Sequence, residues 1–446
     1  MSYKKSIFNM EIGRTQEDKI LFFNSLTTAF GIMNKETQEV YNNIEKYDDE
    51  EISKVDSISP LFKNGFINDS SVDEPSMMKY FFNKAKVNDA NLTLTIAPTL
   101  NCNMNCPYCF EKKVSSRMSQ ETMNRIVEFV KKKIKNGIKS LKVTWYGGEP
   151  LLEKETIYNL SKVLIDLCNE KDIDYTAFMI TNGILLDQET AKRLSEECKV
   201  NEVQITLDGT EEVHNKRRVL LNNKNSFQTI IENIDKIIEF MRVYVRVNID
   251  KSNLDDIENL INYIYDYKNW KQNVFMSFNP VVKVEDLCVY DKNMCFSNLD
   301  FGLIEANFMK KLYSKVNMDT KNLYPRPRFL ACSALSANSF VIDPWGNLYK
   351  CWSDVGVSER KIGNLSEGIK INTNFTKWVL AELPEKCREC NTLPLCQGGC
   401  LYDYVYYGKE PQCAHSLETY KQNLKSVYES YCKKGNTIDA NIEEAK

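Results

Sequence analysis

Three cysteines fall within eight residues, in Cys102-Asn-Met-Asn-Cys106-Pro-Tyr108-Cys109. Thiolates so close can wrap one compact centre on one loop. A structural zinc site usually takes four protein ligands, so three cysteines would need a distant fourth. A [4Fe–4S] cube held by three thiolates instead keeps one iron open for another ligand. A second group reads Cys332-x13-Gly346-x4-Cys351, then Cys387-x2-Cys390-x5-Cys396-x3-Cys400, then Cys413. Taken alone, it also suits a zinc ribbon. The chain has only two histidines, His214 and His415, which excludes a His-rich metal centre. The five remaining cysteines read as packing residues or stay unassigned. Cys168 continues the helical set Leu160, Val163, Leu164 and Leu167, Cys198 follows Leu194, and Cys432 follows Tyr428. Cys288 and Cys295 are loosely spaced.

The elements that must position these groups alternate between strand and helix. Strand-like runs cover 92–97, 141–146, 175–180, 203–207, 243–249 and 274–282. Between them, Met123, Ile126, Val127, Val130 and Ile134 recur at helical spacing behind a capping Ser119, and 230–241 repeats the pattern with Ile230, Ile231, Ile234, Ile237, Ile238 and Met241. Six strands separated by helices predict a parallel sheet, curled by right-handed crossovers into a barrel or part-barrel. Ligands on such folds gather at the C-terminal strand ends. The first cysteine loop, Trp145-Tyr146-Gly147-Gly148-Glu149-Pro150, Thr181-Asn182-Gly183 and Leu207-Asp208-Gly209 all follow strands. The first 85 residues differ. A hairpin over 19–33, a helix from Lys35 capped by Asn34, and an apolar–turn–apolar run at 61–68 suggest a small winged-helix-like module. An N-terminal extension packed on the barrel is the other reading.

At 446 residues the chain needs two or three domains. With 43% hydrophobic residues it can fold. Its 58 Lys+Arg against 61 Asp+Glu give a net charge of −3, which argues against a nucleic-acid or anionic-membrane binder. No apolar run reaches bilayer length. The start has no apolar core of a secretory signal, so a cytoplasmic location is expected. A reducing compartment disfavours disulfides and favours metal or catalytic roles for 15 cysteines.

The Cys-x3-Cys-x2-Cys motif with Tyr108 before its last cysteine resembles the radical S-adenosylmethionine (SAM) enzymes, and Gly147-Gly148-Glu149-Pro150 looks like their GGEP motif. The resemblance covers about residues 92–282. It implies that Cys102, Cys106 and Cys109 hold a catalytic [4Fe–4S] cluster. It places Tyr108, Gly147, Gly148, Glu149, Thr181, Asn182 and Asn248 around SAM, with Glu149 at the amino group. Arg218, four residues after His214, is placed near the SAM carboxylate, with Arg217 a competitor; His214 itself is read as structural. Over 325–420 the seven cysteines are similar to the SPASM domain. That implies Cys332, Cys351 and Cys400 on auxiliary cluster I, and Cys387, Cys390, Cys396 and Cys413 on auxiliary cluster II. Some relatives have an eighth cysteine six residues before the first; here that position is Arg326. The reading is an open iron on cluster I, the alternative being that Cys288, Cys295 or water fills it.

The resulting expectation is α/β: a partial (β/α)6 TIM-like barrel with an N-terminal winged-helix-like peptide-recognition module (1–85), the barrel (86–300), and a C-terminal Fe–S SPASM region with a bridging helix and a terminal helix (301–446). By resemblance to thioether-forming peptide maturases (sactipeptide, ranthipeptide and SCIFF-type), the expected enzyme carries three [4Fe–4S] clusters and SAM. It takes a ribosomal precursor peptide through the N-terminal module and electrons from a flavodoxin or ferredoxin. It joins a cysteine sulfur to carbon. The alternatives are formylglycine formation as in anaerobic sulfatase maturases, carbon–carbon crosslinking or epimerisation, and a zinc-stabilised peptide-binding protein. Sulfatase maturases carry an Asp just after the second SPASM cysteine; here that residue is Trp352, with Asp354 two further on.

Overall fold

The computed structural model describes residues 2–52, 58–282, 290–316, 323–411, 413 and 416–433. The chain packs as two units, each assembled from separated stretches. One contains 87–297 and 333–381; the other contains 1–86, 298–332 and 382–446. Neither unit is a single continuous stretch of the chain. Residues 333–381 of the SPASM-like stretch pack with the barrel, and the flanking parts pack with the N-terminal segment.

In the second unit, β1 (Tyr3–Lys5) pairs antiparallel with β5 (Ile67–Asp69), while β2 (Asn9–Arg14), β3 (Ile20–Asn24) and β4 (Phe30–Met33) form an antiparallel sheet in the order β2-β3-β4. The hairpin and the helix Lys35–Asn42 stand as expected, the Asn34 side chain accepting from the Thr37 amide. The alternation of side chains along the sheet feeds two cores. Met10, Ile12, Leu21, Phe23, Phe30 and Ile32 pack with Leu323, Leu395, Leu424 and Val427. Ile20, Phe22 and Met33 pack with Tyr41, Ile44, Ile58, Leu61, Phe66 and Ile67. A sheet buried on both faces explains why every residue of β3 is buried. The helices Asn298–Lys315 and Ser416–Lys433 pack together in the same unit.

In the first unit, β6 (Asn91–Ile96), β7 (Ser140–Trp145), β8 (Asp174–Thr181), β9 (Val200–Thr206), β10 (Arg242–Ile249) and β11 (Val274–Pro280) are parallel neighbours in chain order. Crossover helices include Gln120–Lys135, Lys154–Glu170, Gln188–Cys198 and Phe227–Ile237. Ser119 caps the first, accepting from the Thr122 amide. The pattern expected to run to Met241 is helical only to Ile237. The Phe240 and Met241 amides bond back to the Ile237 carbonyl, and Met241 is buried from a turn. Beyond β6 the sheet continues into β12 (Ser339–Ile342), parallel to β6, and then the antiparallel β13 (Asn347–Tyr349), β14 (Gly363–Asn364) and β15 (Gly368–Ile369).

Cys168 and Cys198 are buried, as packing cysteines should be. Cys432 departs from that reading: it is exposed on its helix, where its thiol pairs with Tyr428. Cys288 and His415 lie outside the described residues. No helix among the described residues is long and apolar enough to cross a membrane.

Candidate functional site

The first cysteine loop leaves the end of β6 and is clamped from four directions. Its own return segment holds it: Thr99 Oγ1 donates to the Ser116 carbonyl (2.6 Å), the Leu100 amide to Ser116 Oγ (2.9 Å), and Lys113 Nζ to the Met104 carbonyl (2.7 Å). The β7 turn holds it next, the Glu149 amide donating to the Asn101 carbonyl (2.8 Å). The stretch after Arg218 adds Asn105 N to Val219 O (2.7 Å) and Leu221 N to Asn103 O (3.0 Å). From the end of β8, Asn182 Nδ2 donates to Asn103 Oδ1 (2.7 Å). Fixing three thiols on so short a loop costs backbone entropy, which these bonds offset before a ligand arrives. Cys102, Cys106 and Cys109 are all partly exposed. Burial pushes the Cys102 thiol up to about 11 and Cys109 up to about 12. Such thiols stay protonated until a metal takes the proton's place.

Gly147 and Gly148 make the contact of turn and loop possible. Gly147 has φ +124°, and a Cβ there would lie 2.4 Å from the Thr99 carbonyl oxygen; at Gly148 it would lie 2.2 Å from the Asn101 oxygen. Glu149 is fully buried. Its carboxylate accepts from Leu151 N (3.0 Å), Thr181 Oγ1 (2.8 Å) and Asn182 N (2.7 Å). Burial raises its pKa, and those bonds with the Arg218 charge pull the other way. Thr181 and Asn182, expected at the SAM site, also hold Glu149 in place.

Tyr108 is the centre of a second network. Its hydroxyl donates to Asp208 Oδ2 and accepts from Arg218 Nη1 (2.9 Å) and Asn248 Nδ2 (3.5 Å). Asn248 in turn donates its amide to Asp208 Oδ1 (3.0 Å) and accepts from Arg246 Nε (2.8 Å). The two arginines differ in their hydrogen-bond partners. Arg217 is committed elsewhere: Nη1 bonds both oxygens of buried Asp250 (2.9 and 2.8 Å), and Nη2 bonds the Asn248 carbonyl. Arg218, like Arg217, keeps a buried Nε with no hydrogen-bond partner; its Nη1 bonds only the Tyr108 hydroxyl among the described contacts. Burial opposes its charge, but Cys106, Tyr108 and Asp208 outweigh that and raise its pKa. His214 is a satisfied core residue: Nδ1 accepts from the Asp208 amide (3.3 Å) and Nε2 meets Ser226 Oγ (3.1 Å).

The sequence placed Asp208 at a strand end without a role and did not mark Tyr290 or Glu111. Burial raises the Glu111 carboxyl to about 8, and it bonds the Tyr146 hydroxyl. Tyr146 in turn packs on Trp352, ring centroids 5.1 Å apart. A carboxylate two residues past the last cysteine was the only sequence signal for Glu111. Cys351 lies beside Tyr146 in the barrel unit, where Leu100 of the cysteine loop shares a core with Val341, Tyr349 and Val355. In the other unit, Cys332 and Cys400 are close enough to interact. Cys387, Cys390, Cys396 and Cys413 line one pocket there. Among the described residues no three His, Cys, Asp or Glu are placed to hold one metal ion. A cubane asks for a wider spread, because each thiolate binds a different iron.

Residues 96–264 match the model of the Radical SAM superfamily. This stretch is a radical SAM domain, and the protein is a radical SAM enzyme, of the class that works through a 5′-deoxyadenosyl radical. Its cysteine-rich C-terminal region is of the kind found in SPASM-domain enzymes. The chain is 27% identical over 365 residues to a cysteine-type anaerobic sulfatase-maturating enzyme of Clostridium novyi, covering 76% of this chain and 95% of that protein. It is 23% identical over 451 residues to the radical SAM cyclopropyl synthase TigE of Paramaledivibacter caminithermalis, covering 92% and 89%. In fold it resembles Streptococcus suis SuiB bound to its precursor peptide SuiA, with a TM-score of 0.52, 15% identity and coverage of 94% and 99%.

The residues fit the SAM and cluster that this class implies. SAM carries an amino acid zwitterion, and buried Glu149 offers a negative partner while Arg218 offers unspent donors. The two glycines let the turn that carries Glu149 pack directly on the backbone of the cysteine loop. Cys102, Cys106 and Cys109 would hold the cluster.

Proposed function

We propose that the protein modifies a cysteine-bearing peptide or protein. When bound, the cluster and SAM supply a 5′-deoxyadenosyl radical that removes a hydrogen atom from the substrate. The chain's own residues do the rest. Glu149 and Arg218 fix the two charged ends of SAM, the four-sided clamp holds the cysteine loop, and the packed strand ends exclude water. The observation that carries this reading is the buried pair of opposite charges, Glu149 and Arg218, beside the three-cysteine loop.

For the outcome, oxidation of a substrate cysteine to formylglycine has the stronger support, from the 27% identical sulfatase-maturating relative. Thioether formation is the second reading. It is favoured by the three-stranded sheet β2-β3-β4, suited to take a leader peptide as an added strand, and by the 94% coverage in the SuiB comparison. Trp352 in place of an Asp, and Arg326 in place of an eighth cysteine, point the same way by resemblance. In both readings the auxiliary cysteines hold two further [4Fe–4S] clusters, the first with an iron open to a substrate thiolate, and an external flavodoxin or ferredoxin supplies electrons. The test is anaerobic reconstitution with SAM and either a cysteine sulfatase peptide or the short cysteine-rich peptide of a neighbouring reading frame. Mass spectrometry separates the outcomes. Formylglycine loses two hydrogens and exchanges sulfur for oxygen; a thioether loses two hydrogens and keeps its sulfur. Neither product, with SAM cleaved, would refute the cysteine-substrate reading.

A further inference from the structure

Glu149 is held by three donors, yet the guanidinium opposite it has one named support. Arg218 Nη1 donates to the Tyr108 hydroxyl at 2.9 Å. That hydroxyl is fixed on every side. Its proton goes to Asp208 Oδ2, and Asn248 Nδ2 donates to the hydroxyl oxygen itself at 3.5 Å. The ring is packed on two sides: the Arg217 guanidinium lies over it at 5.1 Å, and Tyr290 meets it edge-on at 6.3 Å. Asp208 is itself immobilised, fully buried, with Oδ1 accepting from the Asn248 amide and its carbonyl accepting from Asn253 Nδ2 (2.6 Å). Arg217 is pinned by Asp250, whose Oδ2 also accepts from the Tyr290 hydroxyl (2.6 Å).

We infer that Asp208 and Tyr108 form a positioning relay for Arg218, in which the phenol hydroxyl carries the alignment of one buried carboxylate to the guanidinium that meets the SAM carboxylate. A hydroxyl that donates to a carboxylate is polarised and becomes a stronger acceptor for the cation on its other side. The relay also joins the cysteine loop, through Tyr108, to the ends of β9 and β10. One residue therefore reports the placement of the loop to the arginine. Neither Asp208 nor Tyr108 needs to change charge for this, and Arg218 retains Nε for its ligand.

This inference rests on SAM occupying the site, and the experiment separates the two. The reconstituted full-length protein, its cluster kept oxidised so that no turnover occurs, is dialysed against labelled SAM, with iron measured on each sample. Binding by the wild-type protein tests the site; its absence overturns both readings. Tyr108→Phe removes one oxygen and leaves the ring. It should weaken SAM binding by at least about tenfold at unchanged iron content, the loss expected for one hydrogen bond to a charged group. On an Arg218→Lys background the same change should cost less than about twofold, since it acts through Arg218. Wild-type affinity in Tyr108→Phe, or its full loss repeated on that background, overturns the relay. Asp208→Asn serves as a second variant. It keeps an acceptor for the hydroxyl but not its charge, so it should fall between wild type and Tyr108→Phe, and unchanged affinity there also counts against the relay.

Discussion

At Gly148 a single methyl group decides whether the turn can close on the cysteine loop. The added carbon would lie 2.2 Å from the Asn101 oxygen, 2.7 Å from its carbonyl carbon and 2.8 Å from the Leu100 oxygen, all backbone. Backbone cannot rotate aside as a flexible side chain would. Gly148→Ala should cost about 1–3 kcal/mol of stability and displace Glu149 from SAM. Denaturant melts and SAM dialysis on the same sample check this; full affinity would show that the loop yields. His214 gives a pH prediction of definite sign. Burial first, then the charges of Arg218 and Arg217, hold it well below its ordinary 6.5. The unfolded chain takes up a proton that the folded chain refuses, so stability is complete above about pH 6.5 and declines as the pH falls below it. Urea unfolding between about pH 7.5 and 5.5 should show this slope in the wild-type protein and a flatter one in His214→Gln. The clustered cysteines were legible by type and spacing, while the GGEP turn and Arg218 stood out only by resemblance to a family. The pairing of Asp208 with Tyr108 was not legible, since the two lie a hundred residues apart and an Asp-Gly pair reads as a turn.

Strand existence was also legible, because β6 to β11 carry apolar runs separated by amphipathic helices, and a parallel sheet follows from that order. What periodicity could not show is that β12, from far down the chain, adds itself to β6, or that β2-β3-β4 is buried on both faces. A strand such as Ile20–Asn24 reads as generic hydrophobic sequence, and its two different partners are invisible in it. The sheet does make one element-level prediction. The Asn24 amide bonds the Ala29 carbonyl (2.8 Å), and Phe22 then faces Gly31 in the next hydrogen-bonded pair. Antiparallel alternation turns the amides of Phe30 and Ile32 outward along the edge of β4. The opposite edge strand, β2, carries a bulge between Glu11 and Gly13, a feature that discourages pairing. A leader peptide added as a strand should therefore slow deuterium exchange at Phe30 and Ile32 and leave Gly31 unchanged. Equal exchange across 29–33 with and without bound peptide would place the leader elsewhere.

The two units change how the N-terminal module can be tested as part of the whole molecule. Removing residues 2–85 would look, from sequence, like a clean excision of a peptide-binding domain. In the folded chain it strips one side of a core whose other side is Leu323, Leu395, Leu424 and Val427. A second apolar cluster joins Phe8 and Met78 to Leu393, with Cys387 and Cys390 packed against it, and Ser25 Oγ donates to the Asn391 carbonyl (2.5 Å). The loop carrying the proposed ligands of auxiliary cluster II is thus built on the N-terminal segment. With three cubanes the intact protein should hold about twelve irons; because Cys332 and Cys400, proposed for cluster I, belong to the same unit as the N-terminal segment, the truncated protein should lose both auxiliary clusters and fall toward about four. The four that stay are those of the Cys102, Cys106 and Cys109 loop, so SAM cleavage should persist, uncoupled from product. Loss of peptide binding in such a truncation would then report a collapsed unit rather than a missing recognition strand. Iron held near twelve in the truncated protein would refute this dependence and show that the auxiliary loops fold without the module. Anaerobic iron analysis and deoxyadenosine formation, measured on one preparation, separate the two results.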